Sequence, residues 1–217
     1  MSTQLQGVLL DLDGTLINAF PPIIRAMSKT LAEYGLPAMS EQAIRRHTGR
    51  GDCSMAALFG EHKAAASQRF VAIHDETYLD DIQPLSGATA LMAWLNKQGI
   101  PMAVVTSKGQ HRAEAQLEKL GWLADFSCVI GKLEGRAAKP NPEPLLLACA
   151  AMEDGLNIHD VLMIGDGEAD MQAASRAGCA GWGLTSSFSA EELEKAGAKA
   201  CFASLDEVLL CLQKKIH

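Results

Sequence analysis

The chain has 217 residues, 48% of them hydrophobic, which is enough to bury a substantial core and too apolar for a disordered chain. Its formal net charge of -7 excludes an extended basic surface for nucleic acid or anionic lipid, so an anionic substrate has to meet a local positive site such as a metal ion. Six dispersed cysteines without a CxxC pair, no basic-then-apolar leader and no apolar run near the roughly 18 residues of a membrane span lead us to expect a soluble, cytoplasmic protein with free thiols.

The first apolar run, Val8-Leu9-Leu10, ends at Asp11-Leu12-Asp13-Gly14-Thr15. The run reads as a strand, and the carboxyl end of a strand in a parallel sheet is where open α/β folds set their ligands. Two carboxylates two residues apart project together there only if the strand gives way to a loop, which Gly14 permits. A metal ion relieves their repulsion and leaves one free to attack, while the second carboxylate can shuttle a proton. Taken alone, the pattern suits a calcium loop or a turn with capping aspartates equally well.

The next strand candidate begins only at Met102, whereas a crossover needs roughly 30 residues or fewer, so an inserted unit is expected. It reads as all helical. Residues 21–34 are amphipathic through Ile23, Ile24, Met27 and Leu31 and stop at Gly35, with Asn18 available as a cap. Ser40 can cap a helix running to His47, and residues 53–78 are rich in Ala, Gln, Glu and Lys. Between them, Gly49-Arg50-Gly51-Asp52 reads as an exposed interhelical turn, or as a flexible loop whose Arg50 pairs with a substrate carboxylate or phosphate.

Beyond the insertion, a helix over 88–97 stops at Gly99, and Met102-Ala103-Val104-Val105 forms a strand followed by Thr106-Ser107-Lys108-Gly109. The hydroxyl and backbone N–H groups there can bind phosphate oxygens, or simply cap the helix predicted over 112–120. After a strand at 128–130, Lys139 leads Lys-Pro-Asn-Pro-Glu-Pro, held extended by its prolines ahead of a helix from Glu143 or Pro144. A lysine fixed in this way can neutralise a transferring phosphoryl group, although a lone lysine is ordinarily a solvated surface charge. The strand at 161–164 ends in Gly165-Asp166-Gly167-Glu168-Ala169-Asp170, a second source of carboxylates for a hard cation. A helix over 170–177 stops at Gly178, and strands follow at 181–184 and, more weakly, 200–203. The six histidines form no site and read as surface residues, and the three tryptophans as filling between sheet and helices. Alternating strands and helices, with continuously apolar strands, give an α/β fold with a parallel sheet covered on both faces.

Asp-Leu-Asp-Gly-Thr, Val-Val-Thr-Ser, Lys-Pro and Gly-Asp-(x)3-Asp, in that order, resemble the four motifs of the haloacid dehalogenase superfamily, over nearly the whole chain. The helical insertion is similar to that superfamily's C1 cap, and the stretch from Gly165 to Gly178 to the fourth motif of its phosphoglycolate phosphatase-like branch. The resemblance implies a Rossmann-like, doubly wound core over 1–16 and 84–217 with a helical cap domain over 17–83. It implies a Mg2+-dependent phosphatase acting on a small phosphorylated metabolite, with no nucleic-acid or membrane partner; monomer and homodimer suit the composition equally. Asp11 would be the nucleophile, and Asp13 would protonate the leaving alcohol and later activate water. Mg2+ would be held by Asp11, the Asp13 backbone carbonyl and Asp166, with Asp170 beside them. Gly14, Thr106, Ser107 and Lys139 would bind the phosphoryl group.

An acid at position 13 favours phosphoryl transfer over dehalogenation, which has no alkoxide to protonate. A β-phosphoglucomutase-like phosphomutase is an alternative, although Ile23 and Ile24 stand where those mutases carry an early cap histidine. The close phosphatase relatives usually carry Asp-Ser where this chain has Asn18-Ala19, which leaves the chemistry intact and the substrate less defined. A non-catalytic phospho-binding protein or receiver-like phospho-switch is an alternative of another class, but receivers are shorter and lack the insertion.

Overall fold

The computed structural model describes residues 5–49, 52–152 and 156–216. Strand β1 (Gly7–Leu10) leads through a short β2 (Ile17–Asn18) into four helices: α1 (Phe20–Glu33), α2 (Glu41–Gly49), α3 (Asp52–Ala57) and α4 (Lys63–Thr77). The chain returns through β3 (Gln83–Pro84) to α5 (Ala88–Gln98), β4 (Met102–Gly109), α6 (Gln110–Lys119), β5 (Cys128–Lys132) and α7 (Glu143–Met152). It ends with β6 (Val161–Gly165), α8 (Glu168–Ala177), β7 (Ala180–Leu184), α9 (Ala190–Ala196), β8 (Ala200–Phe202) and α10 (Leu205–Ile216).

Six strands form one sheet in the order β5-β4-β1-β6-β7-β8, every neighbouring pair parallel. This is the doubly wound α/β fold that the sequence predicts. Val8 and Leu10 point into one core with Leu91 and Leu95 of α5 and Val208 and Leu212 of α10. Leu9 points the other way, toward Leu145 and Ala148 of α7 and Ala173 and Ala174 of α8. Both faces of β1 are therefore apolar, and each fully buried Val or Leu side chain contributes roughly 1.5–3 kcal/mol. The register sets Leu10 beside Val104 and Ile164, so the carboxyl ends of β1, β4 and β6 stand in a row.

The insertion has an apolar cluster of its own, built on Phe20, Ile23, Met27, Leu31, Ile44, Phe59 and Ala66. Its outgoing and returning segments pair as β2 and β3, two residues each and antiparallel. Three local expectations are corrected. The helix expected over 53–78 breaks into α3 and α4, because the chain turns at Gly60 (φ 51°) and drives Phe59 into the cluster. Asn18 does not cap α1: it lies in β2, Ala19 is the capping position without a side-chain bond, and Asn18 Oδ1 has no hydrogen-bond partner. Strand β4 runs on to Gly109 rather than ending at Val105, with its register shifted in between. Helices α9 and α10 are additions to the predicted elements, α9 closed by a capping box of Ser189 and Glu192. Ser40 accepts from the Ala43 N–H at the start of α2, as its position suggests.

Among the described residues, Cys128, Cys149, Cys179, Cys201 and Cys211 are free thiols, and no helix is long and apolar enough to cross a membrane. Trp122 and Trp182 are buried in the larger core cluster, with Trp94 packed against it.

Candidate active site

Asp11 follows β1 directly, and its N–H still donates to Ile164 O at 2.9 Å, so the sheet fixes its backbone. The chain then turns through Leu12, whose carbonyl accepts from the N–H groups of Leu16 and Ile17. Gly14 makes the turn possible with φ 84°, and a Cβ there would lie 2.4 Å from Asp166 Oδ2. Asp166, at the end of β6, accepts from Ser187 Oγ at 2.8 Å and Ser186 Oγ at 3.3 Å. Asp170 sits in the first turn of α8 and accepts the Gly167 N–H at 3.0 Å.

One carboxylate oxygen each from Asp11, Asp166 and Asp170 lie within 4.8 Å of one another, and all three residues are buried. Lys139 Nζ reaches in to Asp11 Oδ1 at 2.8 Å, Asp170 Oδ1 at 2.5 Å and the Val105 carbonyl at 2.7 Å. Three carboxylates against one ammonium leave two negative charges unbalanced. Burial, then the charges of Asp11 and Asp170, push the Asp166 carboxyl up to about 8; burial also raises Asp170. Burial acts to lower Lys139, but Asp11 and Asp170 outweigh it and hold the ammonium above its ordinary range.

This donor set fits a divalent cation. Its atoms are hard oxygens, its charge deficit is two, and one oxygen from each of the three residues lies close enough to the others to share one ion.

Thr106 and Ser107 lie on the irregular part of β4, where Thr106 Oγ1 accepts from the Lys108 N–H at 3.2 Å. Lys108 is buried, and its Nζ donates to Asp13 Oδ1 at 2.7 Å and Gln116 Oε1 at 2.6 Å. Desolvation lowers its pKa against the pull of Asp13. Above these groups is a cavity of about 580 Å3, floored by Asp11, Thr106 and Lys139 and walled by Phe20, Met55 and Phe70 of the insertion. Arg46 of α2 grips Glu192 of α9 through both nitrogens of its fork, and Arg112 of α6 pairs with Asp75 of α4 at 2.5 Å, so the insertion is tied to the sheet from two sides.

The profile of the haloacid dehalogenase-like hydrolase family matches residues 8–183. The chain belongs to that family. The phosphoglycolate phosphatase of Pectobacterium atrosepticum is 34% identical over 194 residues, 84% of this chain and 81% of that protein. The N-acetylmuramic acid 6-phosphate phosphatase of Pseudomonas aeruginosa is 33% identical over 181 residues, 81% and 79% of the two chains. A solved structure described as a predicted phosphoglycolate phosphatase from Haemophilus somnus shares the fold, with a TM-score of 0.84 at 24% identity over 98% of this chain and all of that one.

The family match together with curated relatives that are phosphatases makes the chain a phosphatase-type enzyme of the haloacid dehalogenase-like family and removes the receiver-like switch as its class. Of the residues singled out in the sequence, the structure gathers Asp11, Asp13, Thr106, Ser107, Lys139, Asp166 and Asp170 around one cavity, with Gly14 packed against Asp166. Arg50 lies outside the described residues. Sequence reading missed Lys108 and Gln116; the available signal was the lysine two residues after Thr106, which reads as a loop charge. It also misread His74, which is 4% exposed, lines the cavity and stacks on Phe70. Burial, then Lys108 and Arg112, bring its pKa down to about 3 and keep the ring neutral.

Proposed function

We propose that the protein is a Mg2+-dependent phosphatase that hydrolyses a small phosphorylated metabolite, a phosphoglycolate-like phosphomonoester, through an aspartyl-phosphate on Asp11. The observation that carries this reading is the cluster of Asp11, Asp166 and Asp170 against the single ammonium of Lys139, open to a cavity.

Mg2+ would be held by Asp11, the backbone carbonyl of Asp13 and Asp166, with Asp170 beside them, and would supply the positive charge that lets two anions meet. An oxygen of Asp11 attacks phosphorus, and the bond to the leaving alcohol breaks as Asp13 gives its proton to the departing oxygen. Asp13 then takes a proton from the water that attacks the aspartyl-phosphate, releasing inorganic phosphate and restoring Asp11. Lys139 offsets charge on the transferring group, while Thr106, Ser107 and the backbone at Gly14 bind its oxygens. The unit over 17–83 acts as the cap domain on a core of 1–16 and 84–217, excluding bulk water and selecting the ester. Support for the phosphoglycolate-like class comes from the relatives' names and from the match over four-fifths of their length.

The test is hydrolysis of p-nitrophenyl phosphate and a panel of phosphorylated metabolites. Turnover disappears with EDTA and in Asp11→Asn, whereas a rate indifferent to Asp11→Asn removes the nucleophile and with it the mechanism.

A further inference from the structure

One residue outside the four motifs, Lys108, grips the proposed proton shuttle, and a second, Gln116, holds Lys108. The Lys108 side chain is 3% exposed, a rare state for a lysine, and its ammonium spans Asp13 Oδ1 at 2.7 Å and Gln116 Oε1 at 2.6 Å. Gln116 is fully buried, and its amide nitrogen donates to the Tyr78 carbonyl at 2.6 Å, which fixes which end of the amide faces Lys108. Tyr78 closes α4, where the chain leaves the insertion, and Lys119 Nζ binds the next carbonyl, Leu79, at 2.7 Å. A continuous line of hydrogen bonds therefore runs from the insertion's return segment through Gln116 and Lys108 to one oxygen of Asp13. The phosphoryl-binding lysine is a different one, since Lys139 bonds to Asp11 and Asp170.

We propose that Lys108, tethered by Gln116, is a positioning residue that aims the Asp13 carboxyl at the leaving-group oxygen. The inference rests on the proton-transfer role proposed above for Asp13. In the step it serves, the proton passes from the Asp13 carboxyl to the leaving oxygen as the P–O bond breaks, and Lys108 neither gains nor loses one. A carboxyl left free to rotate misses that oxygen, and the loss falls on esters whose leaving group needs the proton.

The experiment compares kcat/KM for phenyl phosphate and p-nitrophenyl phosphate, esters of similar shape whose leaving phenolates differ in basicity, in Lys108→Met, Gln116→Met and Asp13→Asn. In Lys108→Met the ratio of phenyl to p-nitrophenyl kcat/KM falls by about fivefold or more, and in Gln116→Met it falls in the same sense by less. A Lys108→Met enzyme that loses both substrates equally makes Lys108 a phosphoryl ligand, and one that loses neither makes it a structural charge; either overturns the inference. Asp13→Asn is the separate control: if that variant shows no preference between the esters, the proton-donor reading itself fails. Should Lys108→Met lose its cooperative melting transition, Gln116→Met decides by the same ratio.

Discussion

Gly14 carries only a hydrogen where a Cβ would stand 2.4 Å from Asp166 Oδ2 and 2.9 Å from Phe20 Cε2, at a φ of 84° that side chains rarely adopt. Gly14→Ala has to push Asp166 out of the carboxylate cluster as well as strain the turn. The expected result is a loss of about 1–3 kcal/mol in urea unfolding together with a fall of about tenfold or more in kcat/KM. Wild-type turnover in Gly14→Ala would mean that the close approach to Asp166 has no catalytic purpose. Asp11, Thr106 and Asp166 were legible because each follows an apolar strand run, where a parallel sheet delivers it to the carboxyl ends of its strands, and Lys139 because the prolines after it hold its loop extended. Lys108 was not, because its burial depends on Asp13, 95 residues away, and a lysine in a loop reads as solvated until that partner is known. His74 escaped for a related reason: on α4, a helix with little amphipathic character, nothing in the sequence marks the face that turns to the cavity.

The central strands β1, β4 and β6 were legible as elements because they are buried on two sides, which makes each a continuous apolar run, whereas the edge strand β8, half-buried along its length, gave a weaker signal. The pair β2 and β3 was not legible, since two residues carry no periodicity and Pro84 argues against a strand except at an edge. The break between α3 and α4 depends on where Phe59 finds its apolar partners, a tertiary fact. The junction between α5 and α10 shows how elements constrain one another. Gly87 begins α5 at φ 82°, and a Cβ there would lie 2.3 Å from Asp206 N and 2.6 Å from Leu205 C, backbone atoms at the start of α10. Neither can rotate away, so Gly87→Ala separates the two helices and loosens Leu205, Val208 and Leu212 from the core. Chemical denaturation should report a loss of about 2–4 kcal/mol, with kcat near wild type at temperatures where the variant is folded. A change within about 0.5 kcal/mol would show that the helix ends part without cost.

For the whole molecule, an acidic chain of net charge -7 concentrates three carboxylates at the edge of its sheet and gives them one lysine, so folding itself creates a demand for positive charge. Without a cation, a proton meets part of that demand: Asp166 titrates at about 8 when folded, against 3.8 for an unperturbed aspartate, because of burial and then Asp11 and Asp170. The folded state binds this proton more tightly than the unfolded chain does, so the associated stability is complete below about pH 4 and is lost as pH rises toward 8. Asp166→Asn removes the titration while keeping an acceptor for Ser187. In EDTA the variant should therefore match wild type near pH 4 and exceed it by about 1–4 kcal/mol near pH 8. Mg2+ should shrink that difference at pH 8. At roughly 100 times its dissociation constant it stabilises the wild type by about 2.7 kcal/mol, and the variant, lacking a ligand, by much less. Denaturant melts of both proteins across this pH range, with EDTA and with Mg2+, separate the two effects. Parallel curves in EDTA and equal gains from Mg2+ would mean that Asp166 neither bears the repulsion nor holds the ion.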